Sequence, residues 1–242
     1  MRLLLLVGIT ALSTWTACTN NTVKEHSDAS LTSFHIAGAM RNVMHKGELD
    51  GIISLDSIGT KKGLYGIGPL EQLRGELLLF DGQSFVSTVN EDSSMAVTQS
   101  FDAKAPFFVY AHQNEWREQS VTQNVANIKE LEEIIIQAAE KQSHPFVFKL
   151  SGQIEQAQIH VQNLAPGTKV SSPAEAHSGQ VNYTLGIEQV DIVGFYSTIH
   201  QGVFTHHDSY MHLHLITKDR KSMGHLDDLV FYKNKVTLHL PK

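Results

Sequence analysis

A single cysteine in 242 residues leaves no disulfide to close within the chain and no cysteine-based zinc knuckle to form. Prolines number six and glycines 17, too few for a collagen-like or linker-like chain. Charge is also scarce. Charged residues make up 18%, Lys and Arg total 19 against 25 Asp and Glu, and no basic run occurs, which excludes an electrostatic grip on nucleic acid. The apolar run from Leu3 to Leu12 is too short to stay in a bilayer as a spanning helix. What is present, 41% hydrophobic residues over this length, suffices for a sizeable core in one large domain or two small ones.

Residues 1–17, MRLLLLVGITALSTWTA, combine one Arg, that apolar run and the small residues Thr16 and Ala17 directly before Cys18. They read as a signal peptide. The segment resembles a bacterial lipoprotein signal, with Trp15 where Leu is usual. The resemblance implies that Cys18 carries lipid and that the protein is exported and anchored to the cell envelope, facing the periplasm or the cell surface. Residues 18–30 are polar and read as a tether, leaving 31–242 as the folded domain.

Apolar residues at Phe34, Ile36, Ala37, Met40, Val43 and Met44 suit one face of a short helix stopped at Gly47. A clearer helix spans about Asn127 to Lys141, with Ile128, Leu131, Ile134, Ile135, Ala138 and Ala139 as its buried stripe. Other apolar stretches are short and bounded by turn residues: Glu76–Phe80, Phe107–Ala111, Phe146–Leu150, Val190–Tyr196, Met211–Ile216 and Val236–Leu240. This pattern predicts a sheet-dominated α+β fold with two β-rich subdomains and a few helices. Residues 163–183, rich in Pro, Gly, Ser and Ala, are the longest expected loop and the place for a subdomain boundary.

Histidine is the residue in excess. Six of the 14 histidines (His200, His206, His207, His212, His214 and His225) fall within 26 positions. In Met211–Ile216 successive side chains alternate between faces, so His212 and His214 project together while Met211, Leu213 and Leu215 project oppositely. After the polar turn Thr217–Ser222, a return strand could bring His225 beside them. Three imidazoles would leave a position for a carboxylate or a ligand, the open form of a zinc site; a polar hairpin face that happens to carry histidines is the competing reading. Adjacent residues of a strand face opposite ways, so at most one of His206 and His207 would join the His212/His214 face; loop histidines are mostly solvated, and surface placement is the expectation against a role in the site.

The segment Tyr210–Arg220 followed by Gly224-His225 resembles the zinc-binding hairpin of the alpha-acetolactate decarboxylases. Gly66-Ile67-Gly68-Pro69-Leu70, Leu73-Arg74-Gly75-Glu76 and Asp81-Gly82 resemble that family's Gly-x-Gly-Thr-Phe, Leu-Asp-Gly-Glu and Asp-Gly blocks in order. Ala105-Pro106-Phe107, Lys149-Leu150-Ser151-Gly152 and Gly194-Phe195-Tyr196 continue the series. The resemblance implies that His212, His214 and His225 hold Zn2+ and that Glu76 is a metal-site glutamate with a catalytic part. It further implies zinc-dependent decarboxylation of 2-acetolactate to acetoin through a metal-stabilised enediolate. The partner would then be a small 2-hydroxy-3-keto acid, with membrane contact through the lipid anchor only and homodimerisation allowed.

Two departures stand against the family pattern. Where the family has a catalytic arginine, the register gives His160-Val161-Gln162-Asn163, so His160 becomes the candidate proton donor. The C-terminal tail that brings the family a further glutamate is expected to have no counterpart. A metal enzyme of the same fold acting on another 2-hydroxy-3-keto acid, an enolising isomerase and a non-catalytic zinc-binding lipoprotein are the alternatives these departures leave open.

Overall fold

The computed structural model describes residues 33–140 and 142–242; the signal segment 1–17, Cys18 and the tether 18–30 lie outside the described residues. Short apolar stretches punctuated by turns become strands, because alternation is the way to bury one side of an extended segment. The first half of the chain supplies β1 (Ser33–Ala37), β2 (Ile53–Ser54), β3 (Leu64–Pro69), β4 (Glu76–Phe80), β5 (Gln83–Val89), β6 (Met95–Gln99), β7 (Lys104–Ala105) and β8 (Phe108–His112). Six of them form an antiparallel sheet in the order β1-β8-β3-β4-β5-β6, while β2 pairs with β7.

The second half supplies β9 (Trp116–Ser120), β10 (Phe146–Ile154), β11 (Gln156–Val161), β12 (Val181–Leu185), β13 (Glu188–Tyr196), β14 (Met211–Thr217), β15 (Met223–Val230) and β16 (Val236–Pro241). These form an eight-stranded antiparallel sheet in the order β12-β11-β15-β14-β13-β10-β16-β9. The α-helices among the described residues are α1 (Met40–Lys46), α2 (Ile128–Ala139) and the single turn α3 (Pro173–Ala176). The sheet-dominated α+β fold is the one the residue pattern predicts.

The helix read from 3.6-residue spacing, α2, starts where Asn127 caps it, accepting from the Lys129 and Glu130 N–H groups at 3.1 Å. Leu131, Ile134, Ile135 and Ala139 are buried as its stripe. The expected helix over 34–44 is corrected. Phe34 and Ile36 alternate in β1, opposite Ala111 and Val109 of β8, and only Met40, Val43 and Met44 follow helical spacing, in α1. Gly47 ends α1 in the left-handed region, at φ 65°, as a C-cap glycine does. The expected loop 163–183 contains α3 and the start of β12, and it lies within the compact unit Thr32–Lys242.

The eight-stranded sheet has two differently covered faces. One carries Leu150, Leu213, Leu215 and Leu238 against Leu131, Ile134 and Ile135 of α2. The other carries Val147, Val193, Phe195 and Ile216 against Tyr65, Ile67, Leu78 and Val109 of the six-stranded sheet. Leu215 and Ile216 thus go to opposite cores, as alternation demands. On the same count, His212 and His214 share the Ile216 face and project between the two sheets.

Candidate metal centre

The hairpin of β14 and β15 sets the register. His214 pairs directly with His225, so the return strand brings the third imidazole beside the pair. The intervening turn is anchored: Thr217 N–H donates to the Ser222 carbonyl at 2.9 Å, and Lys218 and Arg220 clamp the buried Asp191 carboxylate at 2.7 and 3.0 Å. One nitrogen from each of His212, His214 and His225 lies within 4.8 Å of the others, and all three residues are buried. Gly224 beside them is required small, because a Cβ there would lie 2.4 Å from the His160 carbonyl oxygen.

Glu76 arrives from the opposite sheet, as the first residue of β4. The turn that delivers it is strained, with Gln72 and Leu73 at φ 61° and 49°, and is closed by the Leu70 N–H donating to the Gly75 carbonyl at 2.9 Å. Its Oε2 lies 3.6 Å from His214 Nε2, and its Oε1 accepts the Gln162 N–H at 3.3 Å. The carboxylate is 3% exposed.

These groups fit a cation. Both ring nitrogens of His214 and Nδ1 of His212 are buried without a hydrogen bond, at about 1–3 kcal/mol for each unsatisfied group, and a bound metal, taking one nitrogen of each ring, would relieve part of that cost. Burial, then the His160 imidazole, pushes His214 down to about 3. Burial and the neighbouring imidazoles hold His212 and His225 well below the ordinary histidine range. Neutral imidazole is the ligating form. Burial raises the Glu76 carboxyl well above its ordinary range, against the Gln162 N–H that favours its charge.

These shifts give the metal-free protein a definite response to acid. Between about pH 4.5 and 6.5, histidines of the unfolded chain take up protons that the three buried ones refuse, so each costs about 1.4 kcal/mol of stability per pH unit of acidification. Glu76 works the other way. Its folded carboxyl holds a proton that the unfolded one has released, and three histidines outweigh it. The melting temperature of chelator-treated protein is therefore expected to fall steeply from pH 7 to pH 5; a flat profile would mean that these imidazoles are not held neutral.

His160, on β11, pairs with His225 and stacks on its ring at a centroid distance of 4.6 Å. Its Nδ1 donates to Asp227, 2.8 and 2.9 Å from the two carboxylate oxygens. Asp227 was not among the residues read from the sequence. Gln158 pairs with Asp228 and Ile159 with Leu226, so Asp227 is the extra residue of a β-bulge, and the bulge is what lets it meet His160. Gln162 was also unassigned; its side-chain nitrogen lies 3.4 Å from His160 Nε2.

The surface placement expected for both loop histidines holds for His207, whose side chain is 91% exposed, and fails for His206. The segment between β13 and β14 folds back, closed by a bridge between Gln201 and Thr205, and sets His206 Nε2 3.3 Å from His225 Nε2. His200 stays outside, bonded to Ser197 Oγ at 2.7 Å and stacked on Phe204. A small cavity of about 30 Å³ touches Glu76, His160, Gln162 and His212. A second, of about 490 Å³, reaches His206, His212 and His225 past Lys129, Glu132 and Glu133 of α2.

Residues 36–241 match the alpha-acetolactate decarboxylase family. The chain belongs to that family. Alpha-acetolactate decarboxylases are metal-dependent carboxy-lyases, and the hairpin, its three histidines and the facing glutamate lie within the matched region. The structure is similar to that of alpha-acetolactate decarboxylase from Bacillus subtilis strain 168, with TM-score 0.71 and 23% identity over 86% of each chain. The acetolactate decarboxylase from Bacillus subtilis subspecies spizizenii gives 0.70 and 24%, again over 86% of each chain. A Staphylococcus aureus protein of unknown function, similar to alpha-acetolactate decarboxylase, gives 0.67 and 18%, over 86% of this chain and 84% of that one. At these identities the three structures speak for the shared fold. No curated protein matches the chain in sequence.

Proposed function

We propose that this member of the family decarboxylates 2-acetolactate to acetoin at a zinc site built from His212, His214, His225 and Glu76. The observation that carries the reading is the convergence of three buried, neutral imidazoles and a buried carboxylate from the facing sheet. Three imidazoles and one carboxylate are borderline donors that suit Zn2+ better than Mg2+ or Ca2+, which favour all-oxygen sites. Zinc bound there would supply Lewis acidity toward the substrate's ketone and hydroxyl oxygens.

The chain's own residues do the rest. Loss of CO2 from a β-keto acid leaves an electron pair in the former carbonyl, and the resulting enediolate must take a proton on carbon to become acetoin. His160 is the donor, through Nε2. Asp227 holds its Nδ1–H and fixes the ring, so Nε2 is the atom left beside Gln162. The Gln162 amide supports either state: its NH2 donates to a bare Nε2, and rotated by half a turn its buried, unpartnered Oε1 accepts from a protonated one. The packed walls of the small cavity, Leu73, Phe107 and Met40 among them, keep bulk water from the reacting carbon.

The larger cavity, about 490 Å³, leaves room for a bulkier substituent than methyl, which favours a second reading in which a larger 2-hydroxy-3-keto acid is the better substrate. Incubating zinc-loaded protein with racemic acetolactate and with its longer homologues, and assaying the hydroxyketone and CO2, tests both. Zinc bound without turnover of any of them would leave a non-catalytic zinc protein.

The location is part of the same proposal: lipid on Cys18 holds the enzyme at the cell envelope. Support comes from the apolar run and small residues before the chain's single cysteine. Two or more acyl chains anchor stably where one does not. Replacing Cys18 with Ser is expected to move the protein from the membrane to the soluble fraction, and unchanged fractionation would end the lipoprotein reading.

A further inference from the structure

We infer that His206 is a fourth imidazole ligand of the same metal ion, in addition to His212, His214 and His225. The inference rests on the metal reading above and adds a ligand that the hairpin motif does not contain.

His206 Nε2 lies 3.3 Å from His225 Nε2, with the two rings at 79° to each other. Two nitrogens bound to one ion at the usual zinc–imidazole length of about 2.0–2.1 Å stand about 3–3.5 Å apart. The His206 ring also meets that of His212 edge-on, at a centroid distance of 6.2 Å. It therefore approaches the cluster from the loop between β13 and β14, whereas Glu76 enters from the facing sheet.

A hydrogen bond between the two Nε2 atoms is the alternative account of the contact. It needs a proton on one of them, and that proton is displaced wherever His225 ligates through Nε2. A second ion held by His160, His225 and Asp227, whose donor atoms also lie within 4.8 Å of one another, is the other alternative. Asp227 already accepts from His160 Nδ1, at 2.8 and 2.9 Å, and is engaged as the partner that orients that ring.

The assignment has a chemical consequence. Catalytic zinc sites keep a position open for substrate. His206 stands on a half-buried loop residue and not on a sheet strand, so it is the ligand that can leave when the substrate's oxygens arrive. In the resting protein it would be a fifth donor beside the three hairpin histidines and Glu76.

Cobalt(II), a spectroscopic stand-in for zinc, decides the matter in the full chain. One cobalt per chain is expected. His206→Cys should add a thiolate-to-cobalt charge-transfer band in the near ultraviolet that wild type, with Cys18 as its single cysteine, lacks. His206→Gln should shift the visible bands and weaken cobalt retention against a chelator by at least about ten-fold, the lower end of what losing even an outer-shell partner of a metal ligand costs. His207→Gln is the exposed control and should change neither. No new band in His206→Cys, together with an unshifted spectrum in a folded His206→Gln, would overturn the inference and leave the three-histidine site standing. Two cobalt ions per wild-type chain would overturn it in favour of a second site. No cobalt bound by wild type would sink both the inference and the metal reading. Should His206→Gln fail to fold by circular dichroism, the His206→Cys band alone decides.

Discussion

A protein carrying both His212→Ala and His214→Ala is expected to purify without metal and to form no acetoin. Each imidazole is a proposed direct ligand, and losing a mere outer-shell partner of a ligand already costs about 10–100-fold in metal affinity. Removing two ligands should therefore cost at least about 10²-fold. The same variant separates ligation from folding. In the metal-free wild type these side chains are buried and neutral, with three of their ring nitrogens unsatisfied, so they burden the fold in acid. The double variant should lose much of the steep fall in melting temperature between pH 7 and pH 5 while it loses metal. Elemental analysis and thermal scans on one preparation read both effects. Full metal occupancy in the double variant would mean that the metal lies elsewhere; an unchanged acid profile would mean that the histidines are not the groups that titrate on unfolding.

The hairpin was legible in the sequence because its information is local. Alternation fixes the face of His212 and His214, and a short polar turn fixes where His225 returns. The α2 helix was legible for the same reason, through its 3.6-residue stripe and Asn127 cap. What periodicity alone left unreadable depends on distant or irregular backbone. Glu76 meets His214 across two sheets, a contact between residues 138 positions apart that no spacing rule contains; only the resemblance pointed to it. Asp227 reaches His160 through a bulge, and one extra residue defeats the face assignment that alternation would give. His206 stands in a loop whose path is set by the Gln201–Thr205 bridge, so its neighbour relations are tertiary. The error over residues 34–44 has a simpler source. Two apolar positions at period two, joined by Gly38 to three at helical spacing, imitate one helical stripe.

His160→Gln is expected to lower kcat by about 10²–10⁴-fold, the usual contribution of a positioned proton donor, with zinc content unchanged. Glutamine keeps a polar group of similar reach in the cavity but has no proton to deliver to carbon. The variant should still lose CO2 from the bound acid, since that step depends on the electron sink and not on the donor. Its partner, Asp227→Asn, should act through the ring's orientation. An amide can accept from Nδ1 at one oxygen where the carboxylate now offers two, so the imidazole is less firmly fixed and kcat should fall by less than in His160→Gln. KM should move little in His160→Gln, because His160 is not a proposed metal ligand and does not line the larger cavity; Asp227 does line it, so Asp227→Asn is compared on kcat. The double variant His160→Gln, Asp227→Asn should be no worse than His160→Gln alone, since a residue that works only through the ring has nothing left to orient. Additive losses in that cycle would give Asp227 a part of its own. A fully active His160→Gln enzyme would move the proton donor to Glu76, whose carboxyl burial raises well above its ordinary range.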